Sequence, residues 1–245
     1  MSRTKKKEID FLEGPLTKSI LLFTLPVMAT GVLQFLYNAS DSAVVGWLIG
    51  RDALGAVSST GSLSNLITGL FIGLSVGASV AVSHALGSRR FDDAHDTVQT
   101  AITLSCILGL IVAVFGFFAC KPLLEIMGTV DECIEQSTRY MKIIFLGIPA
   151  QMVYNYGTSI LRANGDTKNP LIFLVISGAV NVVMNIILVF VFRDVWGVAA
   201  ATIISQYLSA FLTVRLLCRL DNCCRLDISR LYIKKEKLGK ILRIG

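Results

Sequence analysis

Between Lys18 and Arg51 the chain carries a single charge, Asp41, preceded by SILLFTLPVMATGVLQFLYNAS and followed by SAVVGWLIG. A carboxylate in so apolar a span costs a few kcal/mol or more unless it faces a bundle interior, a partner or a water-filled path. Its presence argues for ion or proton handling; the bland alternative is an Asp at the headgroup boundary. Polar residues recur around it at helical spacing. Gln34, Asn38 and Asp41 fall at i, i+4 and i+7 on one helix face, with Tyr37 beside them. Gln151, Asn155 and Thr158 repeat that spacing with Tyr154 adjacent, and Ser177, Asn181 and Asn185 form a third stripe. Thr202, Gln206, Ser209 and Thr213 form a fourth. One such stripe is readily explained as interhelical hydrogen-bonding glue, worth about 1 kcal/mol or less per contact. Four together point to a hydrated cavity.

The elements that must position these residues are membrane helices. Hydrophobic residues make up 53% of the 245, charged residues 16%, and the mean hydropathy is +0.67, too apolar for a soluble domain of this size. Charge-free runs cover 19–40, 53–88, 97–120, 143–161, 169–192 and 195–214. Each can cross a hydrocarbon core of about 30 Å at 1.5 Å per residue. The expected fold is an all-α integral membrane bundle of six transmembrane helices (19–214), with an N-terminal segment (1–18) and a basic tail (215–245). Placing the N-terminus inside puts 18 Lys and Arg on the inner side against 5 outside. Both termini are therefore expected to be cytoplasmic, in a multi-pass protein of the plasma or inner membrane. The net charge of +6 is then a topology signal and gives no support to nucleic-acid binding. The tail is a plain connector, able to touch anionic membrane lipid.

Depth brings three stripes together. Asn185 lies about 10 Å below the outer end of the fifth run, Thr202 at a similar depth in the sixth, and Asp41 about nine residues before Gly50 in the first. A carboxylate with amide and hydroxyl oxygens suits a hard cation such as Na⁺, and a desolvated carboxylate suits H⁺; the residues leave that choice open. Pro26 and Pro149 sit within the first and fourth runs, where each frees a carbonyl and bends its helix. Gly69, Gly73, Gly77, Ala81 and Ala85 recur every four residues, a ridge that admits close approach by another helix. GLSVG within that ridge reads as packing, since it lies at no strand-to-helix elbow. His84 and His95 read as interfacial. Cys218, Cys223 and Cys224 lie at the inner exit and Cys133 in an outer loop. They lack the partners of a metal site.

The loops carry a family resemblance. LRANGDTKNP (161–170) resembles the L-R-x-x-G-D-T-K-x-P signature of the multidrug and toxic compound extrusion (MATE) family. DSAVVGWLIGRDALGAVS (41–58) is similar to its D-x-x-x-V-G-x-x-G-x-x-A-L-A-A-V segment, and FTLPVM, LGSRRFDDAH and WGVAAATIIS also match. The resemblance implies one half of a two-lobe, twelve-helix antiporter that exports cationic or amphipathic compounds in exchange for Na⁺ or H⁺, with no cofactor. It implies that Asp41, Asn181 and Thr202 hold or couple the cation. Asn185 departs from the pattern, because members with a described site in this lobe carry Asp there. Gln34, Tyr37, Asn38, Gln151, Tyr154, Asn155 and Gln206 are the expected cavity lining.

Such a transporter has two repeats, with its sites near their interface. KLGKILRIG (237–245) echoes LTKSILLFT (16–24), so the chain is expected to stop in the first turn of a second repeat, the missing lobe being its partner. A native six-helix chain that pairs as a homodimer is the alternative. A lipid-linked saccharide flippase of the same broad superfamily, or a non-transporting membrane subunit, remains a second functional reading. The flippase is disfavoured by the lack of basic residues in the spans. An enzyme is not expected, since no nucleophile–base or metal constellation appears.

Overall fold

Each charge-free run becomes a helix longer than itself. The computed structural model describes residues 16–48, 50–192 and 194–245. Its long helices are α1 (Leu16–Leu48), α2 (Arg51–Gly87), α3 (Phe91–Ile126), α4 (Asp131–Ala163), α5 (Lys168–Phe192) and α6 (Val195–Cys218). A 3-10 turn at Ile228–Arg230 and the short α7 (Lys235–Ile244) follow, and no strand occurs among the described residues. The helices outrun the apolar stretches because a helix continues where the hydrocarbon stops. Asp92 and Asp93 occupy the first turn of α3, where carboxylates meet the positive end of the helix dipole.

The outer loop expected between the third and fourth runs is correspondingly shorter than the sequence implied. Only residues 127–130 separate α3 from α4, turning at Gly128 with φ of +74°. Cys133, expected in that loop, lies in the first turn of α4.

Five of the six long helices are long and apolar enough to cross a membrane; α4 is the exception. It is also the most enclosed, packing against α3, α6 and α2, with every residue from Tyr154 to Leu161 buried. A helix shielded from lipid has no need of an apolar surface, so α4 carries Gln151, Asn155, Thr158 and Ser159 where its neighbours carry Leu, Ile and Phe. The lipid-facing sides of the others expose Phe35, Phe118 and Phe190.

Packing of α3 on α4 rests on small residues opposite large ones. A Cβ at Gly109 would stand 2.7 Å from Cα of Pro149, and one at Gly116 only 1.9 Å from the ring of Phe145. Pro149 therefore does more than interrupt the α4 hydrogen-bond ladder, because its backbone is the surface that Gly109 meets. The signature loop at 164–167 is likewise mechanical. Gly165 adopts φ of +83°, open chiefly to glycine, and Asp166 Oδ1 accepts from the backbone N–H of Asn169 at 3.1 Å, closing the first turn of α5.

Replacing Gly116 with Val is expected to lower the thermal midpoint of the detergent-solubilised chain by roughly 3–10 °C, as overpacking of about 1–3 kcal/mol implies. Gly69, with nothing within 4 Å of its added Cβ, is the matched control, and Gly69→Ala should leave the midpoint unchanged. Equal shifts for both would refute the packing argument.

Candidate cation site

Helix α1 is bound to the bundle at few points. Thr30, Asp41 and Val45 are its only buried residues among those described, at 3%, 6% and 0% exposure. It packs mainly on α5, with lesser contact to α2 and α6. Asp41 sits at this junction, and its two oxygens are met from two different helices.

From α5, Asn185 Nδ2 donates to Asp41 Oδ1 at 2.5 Å and to Asn181 Oδ1 at 3.0 Å, which uses both amide hydrogens. From α6, the Thr202 hydroxyl lies 3.2 Å from Asp41 Oδ2 and 3.0 Å from the Val198 carbonyl, between which its one hydrogen is shared. Asn181 Nδ2 reaches Thr202 Oγ1 at 3.4 Å. The result is a closed ring, Asp41–Asn185–Asn181–Thr202, drawing on three helices. Asn181 and Asn185 are both 0% exposed. Asn185 and Asn181 are one turn apart because i and i+4 share a helix face, and Val198 and Thr202 stand in the same relation on α6.

One acceptor in the ring is left over. Oδ1 of Asn185 is buried with no hydrogen-bond partner. The same ring carries the carboxylate of Asp41, Oδ1 of Asn181 and Oγ1 of Thr202, oxygens of the kind that hold a hard cation. Such an orphan next to a carboxylate is satisfied by a cation or by a proton placed on the acid. The residues present fit Na⁺ by donor chemistry, and no group of three His, Cys, Asp or Glu suited to a transition metal occurs among the described residues.

The remaining residues singled out in the sequence divide. Tyr37 is hydrogen-bonded to Ser205; since Ser205 Oγ gives its hydrogen to the Thr202 carbonyl at 2.7 Å, the Tyr37 hydroxyl is the donor. That bond is a second tie between α1 and α6, adjacent to the ring. Gln34 is half-buried and Asn38 exposed, on the open side of α1. Gln151 instead donates to Thr68 of α2 at 3.1 Å, as Ser159 does to Ser75, so part of the α4 stripe is interhelical glue. The Tyr154 hydroxyl, Asn155 Nδ2 and Gln206 Oε1 are buried without partners. Thr158, Ser177, Ser209 and Thr213 turn their hydroxyls to carbonyls three or four residues back on their own helices. Pro26 lies inside α1, and its carbonyl accepts from Thr30 Oγ1 at 2.8 Å.

Two neighbours of the site were not anticipated. Ser205 stands at i+3 from Thr202, a spacing that would have revealed it. Tyr140 of α4 is buried and close enough to Asp41 and Tyr37 to interact with both electrostatically. It was hidden in the sequence by Arg139 and Lys142, which made its surroundings look like loop.

The same pattern of helices and motifs is found elsewhere. The MatE family model matches residues 26–187, about two thirds of the chain and the stretch that supplies Asp41, Asn181 and Asn185. The chain belongs to the MatE family. Its relatives include the probable multidrug resistance protein YoeA of Bacillus subtilis (strain 168), 30% identical over 236 residues, which cover 93% of this chain and 51% of YoeA. Among solved structures, a MATE transporter in its bent conformation superposes with a TM-score of 0.89 at 28% identity, over 98% of this chain and 54% of that one. A MATE structure in the straight conformation gives 0.86 at the same identity and coverage. This MatE chain spans about half the length of the relatives it matches.

Removing ring donors is expected to destabilise the bundle in a fixed order. Asn185→Leu takes away two donated hydrogens and should cost most, while Thr202→Val, which leaves Asp41 Oδ2 without its donor, should cost about 1 kcal/mol. Asn38→Ala, at an exposed position, should cost nothing measurable. Thermal unfolding in detergent reads the order, and an Asn38 variant as damaged as the Asn185 one would overturn the assignment.

Proposed function

We propose that this chain is the first lobe of a secondary antiporter that exports amphipathic or cationic compounds in exchange for Na⁺ or H⁺. Asp41 is the coupling residue in this reading, with Asn181, Asn185 and Thr202 as its ligating partners. The observation that carries the proposal is the closed polar ring at Asp41, with its one unpartnered oxygen, in a bundle of the MatE family. The kinship to a probable multidrug resistance protein supports drug-like substrates. The excess of Lys and Arg on one side supports cytoplasmic termini, and coverage of about half of each relative supports a second lobe as the partner.

The mechanism follows from how α1 is held. Few apolar contacts fix this helix to the bundle, so the Asp41 ring and the Tyr37–Ser205 bond supply much of its attachment. A Na⁺ ion drawn to Asp41 takes up the oxygens of Asn185, Asn181 and Thr202 and pulls the three helices together around it. A proton acts differently. Neutral Asp41 becomes a donor, and the Asn185 amide, turned over, presents Oδ1 to it. Either event alters the contact that docks α1, whose hydrogen-bond ladder is interrupted at Pro26. The bent and straight conformations solved for MATE relatives support bending as the coupled motion. With Asn rather than Asp at position 185, the ring holds a single negative charge, so one monovalent cation neutralises it.

Two measurements test this. In the purified chain, Asp41→Asn should abolish saturable ²²Na⁺ binding or the equivalent proton uptake while preserving the fold, and competition between the two ions identifies the one used. When the chain is assayed together with a second lobe, the same variant should lose cation-driven efflux of ethidium. Full export by Asp41→Asn in drug-accumulation assays would refute the role of Asp41.

A further inference from the structure

The tail beyond α6 folds back onto the bundle. Asn222 Nδ2 donates to Asn164 Oδ1 in the signature loop at 3.0 Å. Beyond it, the stretch from Leu231 to Gly245 runs across the start of α3 and the second half of α2. Asp96 of α3 accepts from the Tyr232 hydroxyl at 2.5 Å and pairs with the Lys234 ammonium. The backbone N–H of Lys234 donates to Thr100 Oγ1 at 3.2 Å. One turn earlier on α3, Asp93 accepts from Lys237 Nζ at 2.6 Å. Burial and then the neighbouring Asp96 carboxylate push the Tyr232 hydroxyl up to about 12, so it remains a donor throughout the physiological range.

Lys234 is half exposed, and surface ion pairs of that kind are worth little; the Lys237–Asp93 pair differs at its lysine end, Asp93 being open to solvent. Lys237 is 5% exposed. A sheltered ammonium left without its partner carries a desolvation penalty. Asp93 is the acceptor that Lys237 Nζ meets here. The second attachment is steric. On the small-residue ridge of α2, a Cβ at Gly77 would fall 2.3 Å from the Ile241 carbonyl and 2.8 Å from the Gly245 nitrogen. Ile241 itself is fully buried.

We propose that Leu231–Gly245 is a charge-locked strap. It fastens the start of α3 to the second half of α2 and makes α7 move with them as one body, distinct from the α1–α5–α6 junction that holds Asp41. The charge pairs at Asp93 and Asp96 set the register along α3, and the notch at Gly77 seats α7 on α2. A displacement of α2 or α3 is thereby passed directly to α7. This device is independent of the antiport reading and concerns a different end of the bundle's chemistry.

Hydrogen exchange read by mass spectrometry on the whole chain in lipid nanodiscs tests it, with no ion or substrate involved. In the unaltered protein the α7 amides should be protected. Asp93→Asn should raise their exchange at least tenfold while α5 and α6 keep their protection. The reversed pair, Asp93→Lys with Lys237→Asp, should recover part of the loss. Gly77→Ala, which leaves both ion pairs intact, should release α7 to a similar extent. Should Asp93→Asn also strip protection from α5 and α6, Gly77→Ala decides. Exchange of α7 at the unstructured rate in the unaltered chain, unchanged protection in Gly77→Ala, or no recovery by the reversed pair would each overturn the strap.

Discussion

A carboxylate at hydrocarbon depth must be satisfied from within the protein, since lipid offers it nothing. Asp41 imposes that demand, and much of the bundle is arranged to meet it. Its two oxygens take hydrogens from α5 and α6, which brings the polar faces of those helices inward and against each other. The same bonds draw α1, a helix with little buried apolar surface, into contact with both. Had Asp41 been an apolar residue, α1 would have lost its polar tie to α5 and kept the Tyr37–Ser205 bond to α6. The acid thus serves as anchor and as chemical centre at once, and any event that changes its charge acts on the anchor.

The rest of the bundle is held differently. Between α3 and α4 the fit is steric, glycine against proline and glycine against an aromatic ring, with α4 shielded from lipid and free to be polar. Ser177 on α5, the Ser and Thr of α6, and Thr158 on α4 bond their own backbone, so a row of Ser and Thr is by itself no sign of water. The strap across α2 and α3 combines both kinds of attachment, charge pairing at Asp93 and Asp96 and close backbone approach at Gly77. A bundle with one rigid, sterically packed part and one helix tied on by polar contacts suits a protein proposed to move.

Membership in the MatE family narrows how the ring is understood without fixing its ion. An Asp at the position of Asn185 would hold two acids together, and one would raise the proton affinity of the other. Here the amide donates to the acid and keeps an unpartnered oxygen beside it. The site is thereby less negative, and in the proposed antiporter its response to a cation depends on desolvation and on the orientation of one amide.

From the sequence alone came the fold class, the six long helices, the family, and the four residues that form the ring. Those features are legible because hydrocarbon enforces long charge-free runs, and because helical spacing with depth predicts which polar groups meet. Helix ends were not legible, since charge marks the membrane boundary and the helix runs past it, which is how the start of α4 and Tyr140 were missed. The tertiary structure decided which polar stripes face one another and which merely bond their own backbone. It also decided that α7 docks on α2 and α3, because the pairing of Lys237 with Asp93, 144 residues apart, depends on how helices distant in the chain are brought side by side. Local spacing has no means of encoding that distance.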